Sequence, residues 1–111
     1  MSYSTTVYIG YGVDTSPSTD PRIQYMDDLE DLIRELELDR FLCVRQYGDA
    51  RDEVFNAVMA RPVQSFDLGY PSIVDTNRTL SDGQRTALEK VCTILGIDIS
   101  TIGPKVFALT T

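Results

Sequence analysis

The chain carries a net charge of −7 over 111 residues, with a pI near 4.3; an acidic single domain lacks the Lys and Arg excess that displaces counterions from a phosphate backbone, which argues against direct nucleic-acid binding and points to a basic protein partner. It has no His and two Cys, Cys43 and Cys92, far apart and outside any Cys-x-x-Cys; this removes Ser-His and Cys-His catalysis, leaves metal and dithiol chemistry without support, and predicts two reduced core thiols. No charged-then-apolar leader and no apolar run of bilayer length occurs, so the chain is expected to be cytoplasmic and free of the membrane.

Thr5 to Val13 is the stretch to expect at the middle of a sheet, because β-branched and aromatic residues dominate it. Alternation places Val7, Ile9, Tyr11 and Val13 on one face, suited to a core under helices, and Thr6, Tyr8, Gly10 and Gly12 on the other. Two glycines on one face of a strand mark a bulge or the close approach of another backbone or a ligand. Gly10-Tyr11-Gly12 is not half of a dinucleotide fingerprint: Thr15 stands where the third glycine belongs, and no helix opens directly. Asp14 to Pro21 is a loop by composition.

Asp20 followed by Pro21 predicts a helix start, a capping side chain and then a residue whose missing N–H costs nothing, with Ser18 or Thr19 as alternative caps. The helix is expected to run to about Leu38. Met26, Leu29, Ile33 and Leu36 share one face, widened by Leu32. The other face holds Asp27, Asp28, Glu30, Asp31, Arg34, Glu35 and Glu37. Glu30 and Arg34 form a favourable i, i+4 pair, Asp31 and Glu35 an unfavourable one. From Asp20 to Arg40, eight acids against three Arg leave −5 of the total charge in this stretch.

Arg40 to Tyr47 reads as the second strand and Gly48 to Asp52 as a hairpin connection. Glu53 to Ala60 is expected to be the third strand; Pro62 would end it, with Val63 to Phe66 continuing past a bulge. A helix competes for 53–60, since Ala and Met are helix formers. Residues 67–79 form a long connection. Ser81-Asp82-Gly83-Gln84 is a capping box for a second helix, with Gln84, Leu88, Val91, Cys92 and Leu95 on one face and Gly96 as its stop. After a turn at Ile102-Gly103-Pro104, Lys105 to Thr110 reads as the last strand. Residues 1–111 form one α+β domain with a loosely held end at Met1 to Ser4.

The order β-α-β-β-α-β is that of the ferredoxin-like arrangement. It implies a four-stranded antiparallel sheet in the order fourth, first, third, second, with two helices on one face. Apolar residues of both parities on the strands leave the second face apolar as well, and such surface marks pairing with a partner or a second copy unless the 67–79 connection folds over it. No constellation of acids and bases has diagnostic spacing, so the chain is expected not to be an enzyme, with no catalytic residue, no metal and no cofactor. Acylphosphatases share the topology, but Asp14-Thr15-Ser16-Pro17 stands where their Gly-rich phosphate loop and Arg belong. RNA-binding domains of this topology carry aromatic, basic strand motifs that the Val54 strand lacks.

Two resemblances extend this picture. In topology the chain is similar to small dimeric ligand-sensing regulatory modules, which bind an amino acid near the first strand–helix junction between paired subunits. That likeness implies a homodimer with Gly10, Gly12 and Asp14 at a ligand. In size and character, the opening Val7-Tyr8-Ile9-Gly10-Tyr11-Gly12-Val13 followed by an Asp/Glu-rich helix resembles small acidic bacteriophage-encoded proteins of the anti-CRISPR, anti-defence type. That likeness implies a nucleic-acid mimic acting in the host cytoplasm, a non-catalytic inhibitor occupying a basic, nucleic-acid-binding surface of its protein partner. The residues expected to carry such binding are Asp27, Asp28, Glu30, Asp31, Glu35 and Glu37, with Tyr47 and Asp49 at the hairpin. A phage structural or assembly protein is a further alternative.

Overall fold

A computed structural model describes residues 4–23, 25–68 and 79–111. Among them the chain forms β1 (Thr5–Asp14), a 3-10 turn at Pro21–Ile23, α1 (Met26–Glu35), β2 (Leu42–Asp49), β3 (Val54–Ala60), β4 (Gln64–Asp67), α2 (Asp82–Leu95), a 3-10 turn at Ile99–Thr101 and β5 (Gly103–Thr110). The class is α+β, as expected, and residues 54–60 are strand rather than helix. Most of the 67–79 connection and residues 1–3 lie outside the described residues. Ser4 is tied down: its N–H donates to the Thr111 carbonyl at 3.2 Å and its carbonyl accepts from the Thr111 N–H at 2.9 Å.

The sheet departs from the expected four antiparallel strands in count, order and sense. Among the described residues it has five strands in the order β3-β2-β5-β1-β4, and β3 pairs with β1 as well. β5 runs antiparallel along one edge of β1 from Thr5↔Thr110 to Gly12↔Gly103. β3 and β4 share the other edge, Met59 opposite Gly12 and Gln64 opposite Ile9. Between those two pairs the β3–β4 side advances five residues and β1 three, so two extra residues are accommodated around the cis Arg61–Pro62 bond. The bulge expected at Pro62 is therefore present, but the segment beyond it is a strand of its own. The outer edges, β2 and β5, then meet in a short parallel pairing, Gly48↔Leu109 and Asp49↔Thr110. The sheet is curled until its two edges touch at one end.

That curl creates two apolar clusters from one set of strands. Residues of one parity, Val13, Leu42, Val44, Val58 and Ala60, join Leu29 and Ile33 of α1 and Leu88, Val91, Cys92 and Leu95 of α2. Both helices thus pack on a single face, as the right-handed crossovers predict. The opposite parity, Cys43, Ala57, Met59 and Phe107, forms a second cluster with Tyr8, Tyr47 and Val63 against it. Tyr47 stacks on Phe107 at 4.6 Å and on Phe55 at 5.4 Å between ring centroids. Part of the underside expected to meet a partner or a second copy is filled by its own side chains.

Gly10 and Gly12 find their reason here. A Cβ on Gly12 would run into the Val58 carbonyl oxygen and approach Met59 Cγ to 3.0 Å, and one on Gly10 would sit 3.4 Å from Met59 Cε. Gly12 clears space for the β3 backbone and the fully buried Met59 side chain, and Gly10 lies at contact distance from the tip of that side chain.

The helix ends follow local chemistry. The Ser81 hydroxyl accepts from the Gln84 N–H at 3.2 Å while the Gln84 side chain accepts from the Ser81 N–H at 3.0 Å, the expected capping box. Gly96 closes α2 in the left-handed region at φ 70°. α1 begins at Met26, five residues beyond the predicted Pro21, because Pro21–Ile23 forms only a 3-10 turn. It stops at Glu35, short of Leu38: Glu37 takes φ 59°, and the N–H groups of Glu37 and Leu38 return to the carbonyls of Arg34 and Ile33, a Schellman closure without glycine.

Candidate functional site

The acidic face of α1 is set by burial of the opposite face. Leu29 and Ile33 are pinned in the core, which turns Asp27, Asp31 and Glu35 outward as an i, i+4, i+8 line of exposed carboxylates. Asp28 and Glu30 flank this line and are half-buried, and Glu37 is exposed just past the helix end. Asp28, Asp31 and Glu35, with Leu32, border a shallow hollow of about 260 Å³. The structure therefore brings the α1 carboxylates of the predicted set onto one surface. Their one described ion pair joins Arg34 to Asp31 at 2.9 Å, not to Glu30 as the i, i+4 rule suggests, and both side chains stay more than 60% exposed.

Helix stability explains the first acids of α1 and not the last. Asp27 and Asp28 lie in the first turn, where the helix dipole favours them. Glu35 lies in the last turn, against the dipole, and one turn from the like charge of Asp31.

The hairpin residues of the predicted set have other employment. The Asp49 carboxylate accepts from Arg51 Nε at 3.1 Å, from its Nη2 at 3.0 Å and from its backbone N–H at 2.9 Å, so the turn is tied locally and the carboxyl is held below its ordinary range by those bonds. Tyr47 is half-buried in the aromatic stack, and burial first of all pushes its phenol up to about 12. Its ring works as packing, and its hydroxyl is hydrogen-bonded with the side chains of Ser16 and Asp14. Gly10 and Gly12, expected beside a ligand, face Met59 instead. Asp14 accepts from the Ser16 N–H and hydroxyl, both at 3.0 Å, and so folds the β1–α1 connection. Cys43 and Cys92 are buried free thiols, as expected, and burial pushes both up, away from thiolate chemistry. Among the described residues no group of three or more acids and cysteines converges as a metal site would require, and no helix is long and apolar enough to cross a membrane.

One feature was not legible in the sequence. A cleft of about 420 Å³ opens between the β1–α1 connection and the start of β3, with Thr15, Ser18, Asp20, Glu53 and Asn56 among its lining residues. Thr15 is 97% buried in it, by its 3% exposure, and its hydroxyl donates to the Asn56 carbonyl at 2.8 Å. The signal available beforehand was Asn56 itself, a lone amide inside Val54-Phe55-Asn56-Ala57-Val58.

No protein-family model, no curated protein and no solved structure matches this chain.

Proposed function

We propose that this chain is a small, non-catalytic binding protein that uses the acidic face of α1 to occupy a basic surface of a partner protein, one that ordinarily holds nucleic acid, in the manner of a phage anti-defence inhibitor in the host cytoplasm. The observation that carries it is the outward line Asp27, Asp31 and Glu35, maintained at a position where helix energetics disfavour its last member. Carboxylates presented along a rigid rod compete with phosphates for Lys and Arg, through forked Arg–carboxylate bonds and through long-range attraction. A dimeric ligand-sensing module draws less support: the glycines meant for the ligand are packed by Met59, and part of the sheet underside meant for pairing is internal.

The test is affinity capture from a bacterial host lysate with the native chain and with an Asp27→Lys, Asp31→Lys, Glu35→Lys variant. The native chain should retain a basic nucleic-acid-binding protein, a DNA duplex should compete for it, and the variant should bind it roughly 100-fold more weakly, with the difference shrinking at high salt. Equal affinity of the two chains for the captured protein at low salt would remove the proposal.

A further inference from the structure

We infer that the outward face of β5 is a pairing surface for a second copy of this chain. The inference goes beyond the binding role proposed above and does not rest on it. It concerns the flank of the helix-bearing face, not the underside, part of which the aromatic cluster fills.

The helices pack over β1, β2 and β3, and no β5 residue belongs to the buried cluster beneath them. Alternation along β5 places Pro104, Val106 and Ala108 on that same face, with Pro104 opposite Tyr11 and Val106 opposite Ile9 of β1. All three are exposed, and Val106, at 69%, is the most exposed large hydrophobic residue among the described ones. Ile9 and Tyr11 beside them are half-buried. Lys105, the one charge of the strand, has the other parity, that of the buried Phe107.

Charge selects the occupant. None of the 17 Asp and Glu falls in residues 1–13 or 99–111, which hold β1 as far as Val13 and all of β5. Lys105 is the only charged side chain in those stretches, so nine Lys and Arg against 17 Asp and Glu leave −8 in residues 14–98. A second copy is repelled by the acidic body of the chain and finds no acid on this strip. A two-fold contact sets a patch against itself, so the patch must complement itself. With the axis at Val106, the two Val106 side chains meet, and Pro104 of each copy lies over Ala108 of the other. A basic partner of the kind proposed for α1 finds no carboxylate here to attract it.

The two copies meet face to face, because edge-to-edge pairing is obstructed. The Ser4–Thr111 exchange shows that the odd positions of β5 bond to β1, so its even positions turn their backbone groups to the other edge. Pro104 is one of these and has no N–H to give. Eight residues of two strands make a strip roughly 27 Å long and 10 Å wide. Each copy would then cover about 270 Å², a third of the ~800 Å² that a stable complex buries on each side. The dimer is therefore weak, half-formed on the order of 0.1–1 mM.

The experiment is sedimentation velocity of the full chain from about 10 µM to about 1 mM, at about 50 mM and about 500 mM salt. Self-association is expected near the upper concentrations. It should tighten several-fold at the higher salt, because an apolar contact joins two acidic bodies, whereas binding through the α1 acids should loosen. On dilution, ¹H–¹⁵N shifts should centre on residues 9–11 and 103–108. Val106→Arg sets two guanidiniums against each other at the axis and should weaken pairing at least tenfold, with the rest of the amide spectrum unchanged; Val106→Ile should keep it. Val106→Arg should also keep any basic partner held through α1, so the two surfaces are tested separately. A monomer throughout, a dimer untouched by Val106→Arg, a dimer that loosens with salt, or shifts centred elsewhere would overturn the inference. Capture of a different protein that Val106→Arg abolishes, while the chain itself stays monomeric, would assign the strip to that protein and overturn self-pairing.

Discussion

α1 and α2 lie on the same face of the same sheet and are held there by different means. α2 is fourteen residues long, buries Ala87, Leu88, Val91, Cys92 and Leu95, opens on a reciprocal capping box and closes on a glycine. Its four charged residues, Asp82, Arg85, Glu89 and Lys90, cancel. α1 is ten residues long, buries only Leu29 and Ile33, opens on Tyr25 with no side-chain cap, and closes through a non-glycine left-handed residue. Its five acids face one Arg. The side-chain cap, the glycine stop and the wide buried face belong to α2, while α1 has dipole-matched charges at Asp27, Asp28 and Arg34 and a narrower anchor in the core. On the function proposed above, the contrast separates a scaffold element from one whose outer surface serves recognition.

The largest expected effect tests how far each helix depends on the core. Leu29 and Leu88 are both fully buried. Replacing either by Ala should cost about 3 kcal/mol from lost transfer energy and the residual cavity. The consequences should differ in extent. Leu88→Ala removes a contact at the centre of five buried positions and should lower global stability in a single cooperative transition. Leu29→Ala removes half of the buried anchors of α1, so amide exchange should accelerate at residues 26–35 well before the sheet opens. Equal protection of both helices in the two variants would erase the distinction.

Next in size is the capping difference. Ser81→Ala should destabilise by about 1 kcal/mol, because Gln84 loses its acceptor and the box its reciprocity. The mirror experiment adds a cap where none exists: Tyr25→Ser should stabilise α1 by about 0.5 kcal/mol, since Tyr25 already has the extended backbone of an N-cap and a side chain that is 65% exposed. Denaturant midpoints at constant m-value would read both changes.

These same local devices decide what could be read from sequence. Capping chemistry at Ser81 and Gly96, the strand character of Thr5–Val13 and the apolar stripes of both helices are short-range signals, and each appears where expected. The start of α1 is misread because Asp20-Pro21 satisfies the pattern of a cap while the chain there is used otherwise: Ser18 reaches Leu95 and accepts from the Asp20 N–H, holding the connection as a separate turn. The curl of the sheet is out of reach for a different reason. It depends on Gly48 and Asp49 meeting Leu109 and Thr110 across some sixty residues of chain, and periodicity assigns faces, not which edges meet. The cleft follows from that same non-local geometry. Only the misplaced polarity of Asn56 hinted at it. The glycine pair was legible as a close approach but not as to its occupant, Met59 on β3.

Smaller still is the closure of α1. Glu37 sits at φ 59°, a region that costs a β-carbon-bearing residue roughly 1 kcal/mol, part of which glycine would return as extra entropy of the unfolded chain. Glu37→Gly should therefore stabilise by about 0.5 kcal/mol, bringing the end of α1 toward the arrangement seen at Gly96. A loss of stability at high salt, where the removed charge no longer matters, would show that the Glu37 side chain holds the closure.

The smallest stability change is the most informative about function. Glu35 opposes the dipole of α1 and repels Asp31, so Glu35→Gln should raise stability by about 0.3 kcal/mol at low ionic strength and by less at high salt. The isosteric Glu89→Gln on α2, where the acid lies in a neutral helix, should shift stability by no more than a similar amount. Binding to the captured partner should separate the two: weaker for Glu35→Gln, unchanged for Glu89→Gln. A residue whose removal helps the fold and harms recognition is retained for recognition. If Glu35→Gln leaves both affinity and its salt dependence intact, the outward acids of α1 are solvated charge and the two helices differ in packing alone.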